Sequence, residues 1–361
     1  MPGTRTDFDH EKAQRFAART GQQLAAAINC YLSYIGDDLG LYKTILDLGW
    51  TTSDELATAT GLHERWIREW LRHQACNQHL DYDVEKDAFS LSPEAGTVLC
   101  DEDSPYYFAS GFQAFAALRS SVDRLPEAFS TGLGMRFDEH GAGCACGIEK
   151  LNNYIPRFEL VQSILPQLVG VCERLEEGAA VADVGCGAGI ALLNMAKAFP
   201  KSTFTGVEIS THAIERARAN IEEWNLSNVS IQDAREQPLA SDHSFDFVTT
   251  FDVVHDTPFP DRLITEIYSA LRPDGTWLCS DIRSYPKFAD NLAENPGAPL
   301  LYGFSVMVCM SSAMSEPGGA GLGTLGFNSE VAQEMTSIAG FTRFRKLEYE
   351  NAINSYYEIR P

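Results

Sequence analysis

Val181-Ala-Asp-Val-Gly-Cys-Gly-Ala-Gly189 decides the fold. Val181 to Val184 is a short apolar run of strand character, and Ile190, Leu192, Leu193, Met195 and Ala196 carry on as a helix. Between them, Gly185, Gly187 and Gly189 let the backbone turn sharply and approach a ligand closely. The free amides at the start of the helix favour a polar or anionic group. Thr203 to Ile209 is the next strand, and it delivers Glu208, with Ile209 beside it, about 20 residues beyond the turn. A carboxylate at that distance can bind both hydroxyls of a ribose.

The spacing of the glycines narrows the nucleotide. A dinucleotide fingerprint needs G-x-G-x-x-G, but here the third glycine comes one residue early and Ile190 stands in its place. The turn also has no basic residue to meet a pyrophosphate. The stretch resembles motif I of the class I S-adenosylmethionine (SAM) methyltransferases, with Glu208 matching their ribose-binding acid. The resemblance implies SAM as cofactor and S-adenosylhomocysteine as product.

Bulk composition sets the frame. A chain of 361 residues suggests two domains, and 44% hydrophobic residues suffice for real cores. The formal net charge of -22 argues against a nucleic-acid partner, which needs a basic footprint. The nine cysteines (30, 76, 100, 144, 146, 172, 186, 279 and 309) are scattered and lack paired metal spacing, so no metal site is expected. They fit reduced thiols in the cytoplasm. No apolar signal core opens the chain and no run reaches transmembrane length, so no membrane partner is expected.

Residues 1–105 read as a helical front domain. Residues 11–48 look helical, Thr52-Ser-Asp-Glu-Leu-Ala57 is a capped helix start, and Glu64 to His73 is a second helix with Trp66, Ile67, Trp70 and Leu71 on one face. Leu80–Asp83 and Ala88–Leu91 then flank a charged turn as a hairpin. Helix, turn, helix, hairpin is a winged-helix pattern. Glu64 and Glu69 offset Arg65, Arg68 and Arg72, so the expected role is dimerisation and substrate capping rather than DNA reading. Residues 106–175 read as a helical linker, interrupted over Ser130–Gly147 by a loop with five glycines and the Cys144-x-Cys146 pair.

Residues 176–361 alternate strand and helix. Strands are expected at Asn228–Gln232, Phe245–Val254 and Thr276–Ser280, with a terminal pair at Phe341–Glu348 and Asn354–Ile359. The fold class is therefore α/β, a Rossmann-like seven-stranded methyltransferase sheet whose last strand is antiparallel, behind an N-terminal winged-helix domain. Residues 284–327 are an insertion with Met307, Met310, Met314 and a glycine run, Gly318 to Gly323. Lying after the fifth strand of the sheet, it is expected to be a lid over the substrate pocket, since ligands in such sheets sit beyond the strand carboxyl ends.

In the methyltransferase reading, Asp233 and Ala234 hold the adenine, the carboxylate accepting from the exocyclic amine and the amide donating to a ring nitrogen. Gly185, Gly187 and Gly189 surround the amino-acid end of the cofactor, with Asp183 under the loop. Phe251 and Asp252 face the sulfonium. Phe251-Asp-Val-Val-His-Asp256 resembles the His-Asp pair of small-molecule O-methyltransferases, which also carry a winged-helix dimerisation domain. That resemblance makes His255, with Asp256, the catalytic candidate, a base that deprotonates a hydroxyl as the methyl moves. An imidazole suits the task, with an ordinary pKa near ~6.5. Thr257-Pro-Phe-Pro260 departs from the aromatic acidic run usual there. Over nearly its full length the chain is similar to the actinobacterial-type winged-helix SAM methyltransferases.

The expected function is methyl transfer from SAM to oxygen or sulfur of a small-molecule acceptor, by a homodimer. Small volatile thiols or sulfide are one specific alternative, and a metalloid held by Cys144 and Cys146 is another. A SAM-sensing winged-helix transcription regulator is the competing reading from a different class.

Overall fold

The computed structural model describes residues 8–361 and falls into two compact units with a boundary after Ala116. The first opens with the helix His10–Asp38, capped by the Asp9 carboxylate on the Lys12 amide. The expected single helical stretch is broken at Gly40, whose φ of +67° reverses the chain into Leu41–Leu48. Helices Ser53–Thr60 and Glu64–Cys76 follow, the former started by a Thr52–Glu55 capping box. Strands β1 (Asp81–Asp83) and β2 (Ala88–Ser90) form the antiparallel wing, and Pro93–Leu99 is the next helix.

Leu41, Tyr42, Ile45, Leu56, Ile67, Trp70, Leu71 and Phe89 make the core of this unit. Gly36 is required, because a Cβ there would come within 2.2 Å of the Trp70 ring. Trp66 does not share the buried face with Ile67, Trp70 and Leu71: it is 81% exposed. The unit also runs further than residue 105. Helix Ala109–Ala117 belongs mostly to it, through ring contacts of Phe112 with His79 and Phe115 with Tyr31.

The second unit is built on a seven-stranded sheet: β3 (Ala180–Val184), β4 (Thr203–Glu208), β5 (Val229–Asp233), β6 (Phe245–Phe251), β7 (Leu271–Ile282), β8 (Arg343–Lys346) and β9 (Asn354–Arg360). Their order is β5-β4-β3-β6-β7-β9-β8, with β9 antiparallel to both neighbours. Alternation along the strands feeds two cores. Val181, Phe247, Leu278 and Tyr356 face one, and Ala182, Val248, Trp277 and Tyr357 face the other.

Two expectations change here. β6 stops at Phe251 rather than Val254, because Asp252 adopts a left-handed φ of +58° and turns the chain. Ser130–Gly147 is not simply a loop. It contains a 3-10 turn, Phe137–His140, and the first part of helix Ala142–Leu151, seated by packing of Cys144 and Ile148 with Leu118 and Val308. The 284–327 insertion folds into helices Phe288–Glu294 and Ala298–Phe304, a π-helical turn Ser305–Cys309 and a short helix Met310–Ala313.

Candidate active site

The glycine turn leaves β3 and enters helix Ile190–Ala198, with φ of +68°, +56° and +79° at Gly185, Gly187 and Gly189. A side chain at Gly185 would strike Val253, with 2.4 Å between its Cβ and Val253 Cγ2. The loop after β6 therefore packs directly on the turn. At Gly187 a Cβ would meet nothing within 4 Å, so the turn is open on that side.

Glu208, at the end of β4, points back toward the turn. One carboxylate oxygen accepts from the Gly187 amide at 2.8 Å, and the other from Ile209 and Ser210, each at 2.8 Å. Burial raises its pKa, the three amides oppose this, and Asp138 adds to the rise. A carboxylate offers about four acceptor places, so most are already filled. Taking both ribose hydroxyls would require releasing loop amides. Ile209 beside it is 57% exposed.

Asp183 is buried beneath the turn. It accepts from Thr249 Oγ1 at 2.7 Å, while its second oxygen has no partner. Burial pushes its carboxyl up to about 7, Thr249 opposing and Glu208 assisting. At the end of β5 the arrangement departs from expectation. Asp233 is paired with Arg235, whose Nη2 lies 2.5 Å away and holds the carboxyl down at about 2. The Ala234 amide, expected to donate to an adenine nitrogen, instead donates to the Glu208 carbonyl at 2.8 Å. That bond continues the parallel β4–β5 ladder, which is why the amide is not free.

Beyond β6, Phe251 is half-buried, and Asp252 accepts from Asn354 at 2.5 Å and Asn152 at 3.5 Å. Burial, with the Asp281 charge adding, pushes Asp252 up to about 7. Asp256 is likewise pushed up to about 7 by burial, which outweighs the attraction of His255.

His255 is buried, and its Nδ1 lies 2.7 Å from the carboxylate of Asp281 at the end of β7. The orienting acid is thus Asp281 and not the sequence neighbour Asp256. β6 and β7 are adjacent and parallel, with Phe251 opposite Ser280, so the loop after one reaches the last residues of the other. Asp281 directly follows the expected strand Thr276–Ser280, but nothing along the chain ties it to His255. Strand adjacency was the missing signal. Burial works against charging the imidazole, but Asp281 and Cys309 outweigh it and raise the His255 pKa well above its ordinary value.

The insertion is tied to this loop through its backbone. Gly323 donates to the His255 carbonyl at 3.0 Å and Ala320 to the Pro258 carbonyl at 2.8 Å. Cys144 and Cys146 do not converge. Two residues apart on a helix they diverge by about 200°, so Cys144 is buried while Cys146 accepts from Arg216 at 3.3 Å. Among the described residues, no group of three or more His, Cys, Asp or Glu is arranged to hold a metal.

The residues at the turn fit SAM. The glycine side is open, Asp183 presents an unpartnered buried oxygen, and Ile209 offers an apolar face. Residues 175–316 match the family model "Methyltransferase domain", and residues 17–101 match the "Rv2258c-like winged HTH domain". The chain carries a methyltransferase domain behind a winged helix-turn-helix domain.

The methyltransferase domain is 32% identical over 115 residues to a ubiquinone biosynthesis O-methyltransferase of Neisseria meningitidis, covering 30% of this chain and 47% of that protein. It is 32% identical over 123 residues to a fatty-acid O-methyltransferase of Mycolicibacterium smegmatis, covering 33% and 44%. The match thus spans about half the length of these curated relatives. Among solved structures, a putative O-methyltransferase from Nostoc punctiforme superposes with a TM-score of 0.71 at 16% identity, covering 99% of both chains. Human N-acetylserotonin methyltransferase, solved with SAM, gives 0.64 at 15% identity, also over 99% of both. These likenesses show the same fold across the whole chain.

Proposed function

We propose that the protein transfers a methyl group from SAM to oxygen or sulfur of a small-molecule acceptor. The observation that carries this reading is the buried His255–Asp281 pair, held against the glycine turn through Val253. The names of the curated relatives point to oxygen on small molecules. SAM, when bound, supplies an electrophilic methyl on a sulfonium. Gly185, Gly187, Asp183 and Glu208 would hold it.

The chain's own residues do the rest. Asp281 fixes Nδ1 of His255, which leaves the other ring nitrogen to take a proton from an acceptor O–H or S–H. The bonds from Gly323 and Ala320 lay the insertion over the loop and support its role as a lid that excludes water. Acidic groups around the turn suit a cationic cofactor. A thiol acceptor would need the base less, because it is already partly ionised near neutral pH.

A homodimer is part of this reading. Leu24, Ile28, Tyr31 and Ile35 are all exposed on helix His10–Asp38, at spacings of four, three and four residues. That stripe fits a second copy packed helix to helix. The scattered, unpaired cysteines support a reducing, cytoplasmic setting, and no helix is long and apolar enough to cross a membrane among the described residues. On helix Glu64–Cys76, Arg65 is bound to Glu69 and Arg68 to Glu64, which leaves little free charge for DNA. A turnover screen of SAM to S-adenosylhomocysteine tests the reading, with sulfide, methanethiol, larger thiols, phenols and hydroxy acids as acceptors. Tight SAM binding without turnover on any of them, together with a sequence-dependent gel shift, would favour the regulator instead.

A further inference from the structure

Residues 134–140 run from the insertion to the ribose side of the glycine turn. At one end the Gly134 amide donates to the Met314 carbonyl at 2.9 Å, and the Met135 amide to Ser311 Oγ at 3.0 Å. The approach is so close that a Cβ on Gly134 would lie 2.0 Å from the Ser311 carbonyl oxygen. Met135 is buried there, and Phe137 packs in one apolar cluster with Leu118 and Val308. At the other end Asp138 reaches the start of helix Thr211–Trp224. One of its carboxylate oxygens accepts from Ser210 Oγ, the other from the Thr211 amide at 3.0 Å. The turn between is braced from behind. Glu139 accepts from Arg124 at 2.8 Å, and Nδ1 of the buried His140 lies 3.0 Å from Ser121 Oγ.

Asp138 is not needed to start that helix, because Ser210 Oγ already caps it on the Ala213 amide at 3.2 Å. What it fixes is the pair of residues beside the acids of the site. The Ser210 amide donates to the Glu208 carboxylate at 2.8 Å. Thr211 Oγ1 accepts at 3.2 Å from Arg235, the partner of Asp233. Asp138 therefore stands behind the acids that end β4 and β5, while the residues just before it are seated on the insertion.

We propose that Asp138 is a positioning residue for the cofactor, acting through Ser210 on Glu208, and that residues 134–140 carry occupancy of the ribose site to the insertion. Taking up a ribose makes Glu208 rearrange the amides it holds, Ser210 among them. Ser210 is bound to Asp138, and Asp138 lies three residues from the amide that holds Ser311. The path is one contiguous set of hydrogen bonds and packed side chains between two sites. The insertion is held most firmly when the cofactor is in place. The proposal rests on the reading of Glu208 as the acid that meets the ribose.

The test combines calorimetry with S-adenosylhomocysteine and amide hydrogen exchange over residues 305–314, both on the full chain. In the wild type, saturating S-adenosylhomocysteine should slow exchange there by at least about fivefold. Asp138→Asn should weaken S-adenosylhomocysteine by about tenfold and, at saturation, lose that slowing. Gly134→Ala forces the segment off the Ser311 carbonyl without touching the ribose side. It should keep its affinity and lose the slowing, a split that a general disturbance of the cofactor site would not give. Thermal melting checks that each variant is folded, and either one alone decides the coupling. Slowing that persists in a folded variant, or a wild type that binds and shows none, overturns the coupling. Wild-type affinity in Asp138→Asn overturns the positioning role and leaves the methyltransferase reading standing. A wild type that does not bind S-adenosylhomocysteine at all overturns that reading, and the proposal with it.

Discussion

The two ends of the central sheet treat acidic residues in opposite ways. Where the parallel strands begin, Asp246 is bound by Arg174 and Arg272, Asp274 by Arg174, and Glu358 by Arg345 and Arg360. Where they end, Asp183, Glu208, Asp252, Asp256 and Asp281 crowd around the glycine turn. Among the described residues none of these five is ion-paired with an arginine or lysine. Asp183, Glu208 and Asp252 lean on Thr249, backbone amides and Asn354, and Asp281 on His255. The first set is neutralised within the fold. The second is left without such cations, and burial raises the proton affinity of Asp183, Glu208, Asp252 and Asp256, as suits a place that receives a positively charged ligand.

The largest expected effect breaks the second set at the cation that Asp281 pairs with, His255. His255→Gln should lower kcat by about 10²–10⁴ while SAM affinity, measured calorimetrically, stays within a few-fold. A loss of SAM binding instead would make His255 part of the cofactor pocket. Glu208→Ala comes next. It removes the acceptor of three amides that hold the turn and should weaken SAM by about 100-fold. Normal affinity would sink the role of Glu208.

Asp281→Asn sharpens the comparison through pH. A base acts in its neutral form, and Asp281 helps to hold the His255 pKa above its ordinary value. Turnover in the wild type should therefore rise with pH through a point above 6.5. In the variant the rising limb should shift to lower pH, and the plateau should fall by about tenfold as orientation is lost. An unmoved limb would detach Asp281 from the titration.

Much of this was legible in the sequence, and what was not has a common cause. The glycine turn, Glu208 and His255 could be read because strand, turn and helix follow one another along the chain. Asp281 could not be tied to His255, because it lies 26 residues away and meets it only through strand adjacency. The partner of the Ala234 amide is hidden for a related reason: it is fixed by the β4–β5 register, which a single strand does not reveal. The glycines of Ser130–Gly147 suggest a loop, yet the packing of Cys144 and Ile148 overrides local propensity. The same override left Trp66 exposed on a helix whose apolar positions suggested otherwise.

Stability against pH carries opposite signs at the two ends. Asp256, raised to about 7 in the fold, binds its proton more tightly folded than unfolded, so it disfavours folding progressively as pH rises from about 4 to about 7. Asp256→Asn should therefore raise the melting temperature at pH 8, by the equivalent of about 1–2 kcal/mol, and change little at pH 4. A variant less stable than wild type at pH 8 would mean that the ionised carboxylate is compensated after all.

The smallest effect tests the neutralised end. The Glu358 carboxyl is held low by Arg345 and Arg360 against the cost of burial. Such a group stabilises the fold above the ordinary glutamate range and loses that contribution as pH falls through its lowered value. Arg345→Ala leaves Arg360 and the Val169 amide in place, and Arg345 is half exposed, so only part of the pairing is lost. The expected destabilisation is about 1 kcal/mol at pH 7, shrinking toward pH 3, with kcat and SAM affinity unchanged. Urea unfolding at the two pH values, run beside the turnover assay, reads both. A fall in kcat without a fall in stability would mean that the two ends are coupled through the sheet rather than separately built.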